Sequence, residues 1–358
     1  MDNHIVSIGI ANPGAPISQS KISDFMKKAH GLDPQESRKI NFVYKKSGIA
    51  TRHSVIRDYE AIDPTEYTFF PQNESLEPFP STKQRMSIFK EEALGLAIQA
   101  IEKCLSTAKV KPEEISHMVL VSCTGMFAPG LELEIIHQLG IRSNVERFAL
   151  HFMGCYAAFN AIKLADRICD SQHDAKVLLV SVELCTIHFQ KVFTEDNILA
   201  NALFGDGAAA ALVCKGDSGL AIRNYSSQLF PDTANEMAWG IGDFGFEMKL
   251  SKYVPELLGK GLHQIRQHLE ALFSISAIKN FAIHPGGKQI LHKVEEAFMI
   301  DKDQNLHSHE VLQAFGNMSS ATILFVLQRW LLQTDKTGPI LALGFGPGLT
   351  LETLLLEK

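Results

Sequence analysis

Three residues of types that can do covalent chemistry on a carbonyl stand where predicted strands give way to turns or helices. Cys155 lies in MGCYAA, His284 in AIHPGG and Asn317 in GNMSSA. Each has an ordinary structural interpretation, because buried cysteine packs as a small hydrophobe and asparagine commonly caps helices. Together they predict a thiol nucleophile, a base that takes its proton and an amide that donates to a developing oxyanion.

The surroundings of Cys155 favour the chemical interpretation. The residue follows a glycine and opens AAFNAIKLAD, whose dense small and apolar residues predict a helix covered on most sides. Unpaired N–H groups and the dipole at a helix N-terminus favour a negative sulfur, as does a protonated His284. We therefore expect the pKa of the Cys155 thiol to lie below that of a free cysteine.

The elements that must position these residues alternate between strands and helices. The sequence predicts helices over residues 84–107 and 254–273, and buried strands at HMVLVSCTG, AKVLLVSVEL and ALFGDGAAAALVC. This β-α-β alternation predicts an α/β sheet covered by helices on both faces. The second part of the chain repeats the order of the first: a strand, a turn, a buried helix, a strand and a Gly-rich hairpin. This repetition predicts two similar halves, residues 1–217 and 218–358.

Composition limits the class of protein. The 358 residues are 46% hydrophobic and 21% charged, with a net charge of −6 and no Lys/Arg block, which argues against a nucleic-acid partner. The start has no secretory signal, and no apolar run is long enough to span a membrane, so we expect a cytoplasmic protein. Six scattered cysteines without a CxxC pair predict reduced thiols and no metal site.

Six motifs carry a resemblance to a known family: MGCYAA, NALFGDGAAAALV, GFEMKLSKYVP, IHPGGKQIL, GNMSSATILFVL and GFGPGLTLE. In this order they resemble the type III polyketide synthases, the chalcone-synthase-like group of the thiolase superfamily, and the pattern is closer to the bacterial type. The resemblance implies a five-layer αβαβα thiolase fold, a homodimer, and condensation of malonyl-CoA units onto an acyl-CoA starter. It implies CoA thioesters as the only carriers, with no metal, no other cofactor and no obligatory acyl carrier protein. Cyclisation would give a pyrone, resorcinol or phloroglucinol-type product.

The resemblance also assigns roles to residues. Cys155 would hold the starter and the growing chain. His284 and Asn317 would bind the thioester carbonyl of malonyl-CoA and stabilise the enolate formed when CO₂ leaves. Phe204 would be the gatekeeper between the CoA tunnel and the reaction cavity, and Phe246 a second gatekeeper, although its spacing to the following VP is longer than in the plant enzymes.

Further positions follow from the same resemblance. Met237 stands where the plant family has a cavity glycine, so we expect it to shorten the cavity, and Ala128 stands where a methionine reaches across the dimer. The expected cavity residues are Cys123, Thr124, Cys185, His188, Met237 and Ser319. The expected CoA-binding residues are Lys46, Lys39, Gly286 and Gly287, within a basic stretch that also offers Arg38, Lys45 and Arg52.

Other classes share parts of this pattern. A ketoacyl-ACP synthase III-like enzyme has the same fold and the same Cys-His-Asn set, in other local motifs. A thiolase would need a second catalytic cysteine near the C-terminus, and the last cysteine here is Cys214. A papain-like protease also has Cys, His and Asn in this order, but its cysteine lies near the N-terminus of a disulfide-bonded chain. A non-catalytic thiolase-fold scaffold would require loss of a triad member.

Overall fold

A computed structural model describes residues 2–251 and 253–358, and it contains thirteen strands and ten α-helices within those ranges. The strands are β1 (Asn3–Ala11), β2 (Ile17–Ser18), β3 (Thr51–Arg52), β4 (His117–Ser122), β5 (Glu146–His151), β6 (Lys176–Leu184), β7 (Asp206–Lys215), β8 (Leu220–Leu229), β9 (Met237–Gly242), β10 (Gly245–Leu250), β11 (Asn280–Ile283), β12 (Pro339–Gly346) and β13 (Thr350–Glu357). The helices are α1 (Gln19–Ala29), α2 (Pro34–Lys46), α3 (Thr82–Ala108), α4 (Leu131–Leu139), α5 (Ala157–Ser171), α6 (Glu195–Leu203), α7 (Val254–Phe273), α8 (Lys288–Phe298), α9 (Leu306–Phe315) and α10 (Thr322–Leu332).

Nine strands form one hydrogen-bonded sheet in the order β11-β12-β13-β8-β1-β7-β6-β4-β5. The sheet has two halves, because β1 and β8 are joined by only two residue pairs, His4 with Ala221 and Ile5 with Leu220. Parallel and antiparallel pairs are mixed: β4 runs parallel to β5 and β6, whereas β7 runs antiparallel to both of its neighbours.

Three hydrophobic clusters show how the layers stack. The first lies between α3 and one face of β4, β6 and β7. The second lies between the two sheet halves and contains α5 and α10. The third lies between β11, β12, β13 and the pair α7 and α8. The order is therefore helix, sheet, helix, sheet, helix, which confirms the predicted five-layer αβαβα fold.

Strand β7 shows why these residues build such a stack. Ala208, Ala209, Ala210 and Ala211 are completely buried, and alternate members belong to the first and second clusters. A strand covered on both faces carries a continuous apolar run instead of an alternating one. Small side chains on this strand let α3 and the central helices approach the sheet closely.

Strands β9 and β10 form a separate two-stranded hairpin. Its antiparallel register pairs Met237 with Leu250 and Trp239 with Met248. Directly opposed residues of an antiparallel pair point to the same face, so these four side chains share one face of the hairpin. That face closes the cavities described below.

The predicted elements are largely present, and helix α7 covers the predicted residues 254–273. Strand β5, at the edge of the sheet, and strand β9 were not predicted from the sequence. No helix in the described part of the chain is long and apolar enough to cross a membrane.

Candidate active site

Cys155 lies in the turn that leads into α5, two residues before the helix begins at Ala157. The preceding Gly154 has a φ of +82°, and a Cβ atom there would lie 2.2 Å from Cδ of Pro347. Both the positive φ and this close approach require glycine. Glycine at position 154 is therefore needed for the turn that presents the Cys155 thiol.

Asn317 is placed by backbone pairing and by its own side chain. It forms a parallel β-bridge with Phe204. Its Oδ1 accepts the N–H of Ser319 at 2.8 Å, which assigns the other amide atom, Nδ2, as a donor. Nδ2 lies 3.4 Å from the carbonyl oxygen of Gly286 and 3.9 Å from Sγ of Cys155. The helix-cap interpretation does not hold, since α10 begins at Thr322.

His284 directly follows β11, and its N–H donates to the carbonyl of Leu343 at 2.7 Å. The residue is 1% exposed. Neither ring nitrogen has a hydrogen-bond partner among the described residues. A buried imidazole without protein partners is poised to hydrogen-bond a ligand, because leaving such groups unsatisfied is costly.

These three residues line one cavity of about 280 Å³, here named the outer cavity. It runs from Cys155, His284 and Asn317 past apolar side chains to the exposed Lys46 and Lys288. The structure thus brings together a thiol, an imidazole and an amide donor that are up to 162 residues apart in sequence.

Burial opposes a charge on either titratable member of the site. It raises the pKa of the Cys155 thiol to about 11, opposite to the lowered thiol pKa expected from the sequence, although hydrogen bonds from Ser319 and Asn317 lower it in part. It lowers the pKa of His284 to about 3. A proton that passes from Sγ to the imidazole creates two opposite charges that attract, so transfer within the pair costs less than either ionisation alone.

Behind Cys155 lies a second space of about 20 Å³, here named the inner cavity. The predicted cavity residues that line it with Cys155 are Cys123, Thr124, Cys185, Met237 and Ser319. Ser319 has a φ of +47°, a backbone conformation that costs energy for a residue with a side chain. Phe204 lines both the outer and the inner cavity, as a gate between them would.

Two predicted cavity residues, Phe246 and His188, lie elsewhere. Their rings stack 4.1 Å apart, and both line a third space of about 40 Å³, here named the side cavity. Neither lines a cavity that contains Cys155. The position expected of Phe246, beside the reaction cavity, is taken by Met248, which lines all three cavities together with Phe204.

The displacement of Phe246 has a simple geometric cause. Residues 246, 248 and 250 of β10 all point to the same face, because side chains alternate between the two faces of a strand. The sequence pattern alone therefore does not show which of them reaches Cys155. The longer spacing from Phe246 to the following VP was the signal that could have identified Met248. Trp239, its cross-strand partner, was also missed, and it lines the inner and side cavities.

A buried carboxyl group that sequence reasoning missed supports the inner cavity. Glu183 is completely buried and accepts the N–H of Cys123 at 3.0 Å and the hydroxyl of Thr124 at 2.8 Å. It also accepts the hydroxyl of Ser320. Burial raises the pKa of Glu183. Glu183 therefore fixes the end of β4, which forms one wall of this cavity.

The predicted CoA-binding residues separate into two groups. Lys46, Gly286 and Gly287 line the outer cavity, as does Lys288, which was not predicted from the sequence. Lys39 does not line it, and its Nζ lies 3.7 Å from a carboxylate oxygen of Glu195.

Arg52, an alternative in the basic stretch, is buried, and its guanidinium donates to Gln19 Oε1 at 2.9 Å and to the carbonyls of Asn201 and Phe204. In residues 2–251 and 253–358 no group of three His, Cys, Asp or Glu residues is arranged to hold a metal ion.

Comparison with known proteins agrees with this geometry. Two family models match, "Chalcone and stilbene synthases, N-terminal domain" over residues 2–217 and "Chalcone and stilbene synthases, C-terminal domain" over residues 221–358. "Alpha-pyrone synthesis polyketide synthase-like Pks18" of Mycobacterium tuberculosis is 31% identical over 99% of this chain and 90% of that protein.

A longer relative shows the same similarity. "Probable polyketide synthase 1" of Dictyostelium discoideum is 29% identical over all of this chain, which spans only 11% of that protein. Among solved structures, the C-terminal type III polyketide synthase domain of "Steely1", a type I/III hybrid from Dictyostelium, superposes with a TM-score of 0.91. Its sequence is 28% identical, and the match covers 100% of this chain and 99% of that one.

The chain belongs to the chalcone and stilbene synthase family. It is a type III polyketide synthase, an acyltransferase-type condensing enzyme that uses CoA thioesters as substrates and needs no additional cofactor. The ketoacyl-ACP synthase III alternative is not favoured by these matches.

Proposed function

We propose that Cys155, His284 and Asn317 carry out the two stages of this condensation. In the first stage Sγ of Cys155 attacks the thioester carbonyl of an acyl-CoA starter while the thiol proton passes to His284. The departing CoA thiolate takes that proton, and the acyl group remains on sulfur. The observation that carries the proposal is the meeting of these three side chains in one cavity, with Sγ 3.9 Å from the Asn317 amide.

The second stage uses the same donors for a different oxygen. Malonyl-CoA enters the vacated outer cavity, and its thioester oxygen accepts hydrogen bonds from Asn317 Nδ2 and from the N–H of neutral His284. The bond to the carboxylate breaks, CO₂ leaves, and the electron pair forms an enolate that these donors stabilise. The enolate carbon then attacks the acyl carbonyl on Cys155, a carbon–carbon bond forms, and the Cys155 thiolate leaves. The lengthened chain is now a CoA thioester, and it acylates Cys155 again, with loss of CoA, as the starter did.

The two halves of the chain have separate tasks in this proposal. Residues 1–217 supply the nucleophile, and residues 218–358 supply His284 and Asn317. Lys46 from α2 and Lys288 from α8 face the mouth of the outer cavity from different halves. Two exposed ammonium groups at the entrance suit the phosphates of CoA.

We further propose that the protein is a homodimer joined along β5. This strand is an edge of the nine-stranded sheet, and Glu146, Arg147, Phe148 and Ala149 are exposed. Met126 and Ala128, which follow the neighbouring strand β4 in the chain, are exposed as well. An exposed edge with large apolar side chains is a template for pairing with a second strand. Replacing Phe148 with Asp should yield a monomer in sedimentation, whereas Leu229→Asp, at an exposed residue of β8, should not.

Two further assignments complete the proposal. All six cysteines, each within the described residues, are free thiols, which favours the reducing cytoplasm. The name of the mycobacterial relative favours cyclisation to an α-pyrone, in which an enol oxygen of the chain attacks the thioester and frees Cys155.

The experiment that tests this function supplies purified protein with malonyl-CoA and a panel of acyl-CoA thioesters, and identifies products by mass. We expect an α-pyrone and one CO₂ for each malonyl unit incorporated. A product that leaves the enzyme after a single condensation, under every condition tried, would instead indicate a ketoacyl-synthase-like enzyme.

A further inference from the structure

Arg52 is a buried cation that the proposed reaction does not use. It is 3% exposed, and its Nε donates to Gln19 Oε1 at 2.9 Å. Its Nη1 donates to the carbonyl of Asn201 at 2.9 Å and to the carbonyl of Phe204. All three acceptors are neutral, so these bonds satisfy part of the guanidinium without neutralising its charge. A buried charge that lacks a counter-charge is costly.

The acidic and phenolic neighbours of this guanidinium do not supply the missing partner. The Asp206 carboxylate attracts the guanidinium, but it accepts its hydrogen bonds from Val55 and Thr186. Tyr44 and Tyr59 are neutral, because burial raises the pKa of both phenols. The guanidinium Nη2 therefore stays buried without a hydrogen-bond partner in residues 2–251 and 253–358.

Arg52 is one of the residues that line the side cavity. The volume of this cavity, about 40 Å³, exceeds the roughly 10–15 Å³ that one water molecule needs. Asn197 and Asn201 of α6 line it too, and both are half-buried, which gives an ion access from solvent. Their Nδ2 atoms each donate one hydrogen to a carbonyl, of Val192 at 2.8 Å and of Gln190 at 3.0 Å. Each amide therefore keeps a second hydrogen for a ligand.

The lining of the side cavity carries one positive charge, that of Arg52, and no negative one. No Asp or Glu in the described part of the chain lines it. Burial lowers the pKa of His53 and of His188, so both rings are neutral at pH 7. Burial raises the pKa of Tyr59 and of Cys185, so the phenol and the thiol are neutral as well. Water in the cavity would satisfy hydrogen bonds but leave this charge uncompensated, whereas an anion does both.

We propose that Arg52 and the side cavity form a binding site for one small monovalent anion of the size of chloride or bicarbonate. The ion accepts hydrogen bonds from Nη2 of Arg52 and from the side-chain amides of Asn197 and Asn201. Because Nη1 of the same guanidinium holds the carbonyl of Phe204, an occupied site stabilises the end of α6 that leads into this residue. The inference does not depend on the reaction proposed above.

Bromide is the direct probe of this site, because it replaces chloride and is identified by its anomalous scattering. Crystals of the wild-type protein are soaked in sodium bromide, and we expect an anomalous peak in the side cavity beside Arg52. Arg85 is the control within the same molecule, since its Nη2 is also buried without a partner among the described residues, but it does not line this cavity. A side cavity that holds only water, or equal peaks at Arg52 and Arg85, overturns the proposal.

Thermal unfolding measures how much the ion stabilises the protein. The wild type is compared in sodium chloride, sodium bicarbonate and sodium gluconate at one pH and one ionic strength, because gluconate is too large for the cavity. We expect an ion at tenfold its Kd to raise Tm by about 1–3 °C relative to gluconate. The salt with the larger shift identifies the ion that the site prefers, and equal Tm values in all three salts overturn the proposal.

Asn201→Asp supplies the counter-charge from the protein, because position 201 lines the same cavity as Arg52. This variant should show no bromide peak and should have the same Tm in chloride and gluconate. Asn224→Asp is the matched control, since Asn224 is exposed on β8 and does not line the cavity, and it should behave as the wild type. The comparison also removes the general effects of salts on stability.

Arg52→Met is the obvious variant, but it also deletes the bonds to Gln19 and to the end of α6, so a failure to fold would have two causes. The wild type and Asn201→Asp decide the question without it. A folded Asn201→Asp that keeps the bromide peak and the chloride dependence of the wild type overturns the proposal.

Discussion

The backbones of Phe204 and Asn317 are joined in a parallel β-bridge. Gly205 donates its N–H to the carbonyl of Asn317, and Asn317 donates its N–H to the carbonyl of Leu203, both at 2.9 Å. This pairing joins two segments that are distant in sequence. It holds both the ring of Phe204, which lies between the outer and inner cavities, and the amide of Asn317, which lies beside Cys155. The pairing is close, because a Cβ atom on Gly316 would lie 2.7 Å from the carbonyl oxygen of Leu203.

Gly316→Ala should damage this pairing. Gly316 has a φ of +69°, so alanine adds backbone strain as well as the clash with Leu203, and we expect the free energy of unfolding to fall by about 1–3 kcal/mol and the rate of decarboxylation to fall. Gly31→Ala is the control, with a φ of +59° and nothing within 4 Å of its added Cβ. Chemical denaturation and CO₂ release are measured for both. Equal losses would show that strain alone, and not the bridge, matters.

Removing the sulfur should separate decarboxylation from condensation. Cys155→Ala should still release CO₂ from malonyl-CoA and give acetyl-CoA, because the donors at the thioester oxygen remain, but it should form no polyketide. Asn317→Ala loses a donor to the enolate, a cost of about 3 kcal/mol, so CO₂ release should fall roughly a hundredfold while Cys155 still accepts starter. Labelled CO₂ and labelled starter bound to protein are measured together. Complete loss of CO₂ release in Cys155→Ala would refute this division of labour.

Thiol alkylation should reveal the proton acceptor. With His284 present, the Cys155 proton has a nearby acceptor, so iodoacetamide should label Cys155 in the wild type faster than in His284→Ala between pH 6 and 9. In the variant the thiol must lose its proton to solvent, and because burial raises its pKa to about 11, labelling should need alkaline pH. Mass spectrometry of digests follows all six cysteines. Identical pH profiles for the two proteins would mean that His284 is not the base.

The lysines at the entrance should affect binding and not chemistry. Lys46→Ala and Lys288→Ala should each raise KM for acyl-CoA and malonyl-CoA several-fold and leave kcat nearly unchanged, since the proposed contacts are with the CoA phosphates and not with the reacting carbonyl. Lys39→Ala is the matched control on the same helix, because Lys39 is exposed but does not line the outer cavity. Inhibition by free CoA provides a second measurement. A larger KM in Lys39→Ala than in the other two would reverse the assignment.

His188 should make the protein less stable in acid. Its Nε2 donates to the carbonyl of Thr124 at 2.7 Å and its Nδ1 accepts the N–H of Phe246 at 3.0 Å, so a second proton has no acceptor, and burial lowers its pKa to about 3. The unfolded chain binds this proton below about pH 6.5, so the stabilisation is present above that pH and is lost as the pH falls towards 3. One such group accounts for about 2 kcal/mol between pH 7 and 5.

His188→Gln isolates that contribution. Other buried groups titrate in the same range, and burial raises the pKa of Asp206 to about 6, which acts in the opposite direction. Subtracting the free energy of unfolding of the variant from that of the wild type cancels the contributions of these other groups. The difference in the free energy of unfolding, measured by urea titration at several pH values, should shrink as the pH falls. A difference independent of pH would contradict a neutral, buried His188.

The sequence by itself predicted most of the strands and helices and the three residues proposed to react, and through its resemblance to a known family it predicted the five layers. Apolar runs that alternate with helices specify a sheet covered on both faces, and the small residues of β7 and α5 specify close packing between layers. Cys155, His284 and Asn317 were recognisable because each stands in a short motif whose glycines serve turns and close approaches, as at Gly154. Phe204 was predicted only from the resemblance of its motif, NALFGDGAAAALV, to the family.

Only the tertiary structure decided which side chains of the β9–β10 hairpin line the cavities at Cys155. Side chains alternate between the two faces of β10, so Phe246, Met248 and Leu250 share one face. The position of the hairpin in the folded chain then places Met248 beside Cys155 and stacks Phe246 on His188. The same packing places Trp239 in the walls of both the inner and the side cavity. The tertiary structure also set the environment of the Cys155 thiol. A helix N-terminus predicts a lowered thiol pKa, yet burial raises the pKa of Cys155, because the loss of solvent destabilises the thiolate more than the nearby backbone stabilises it.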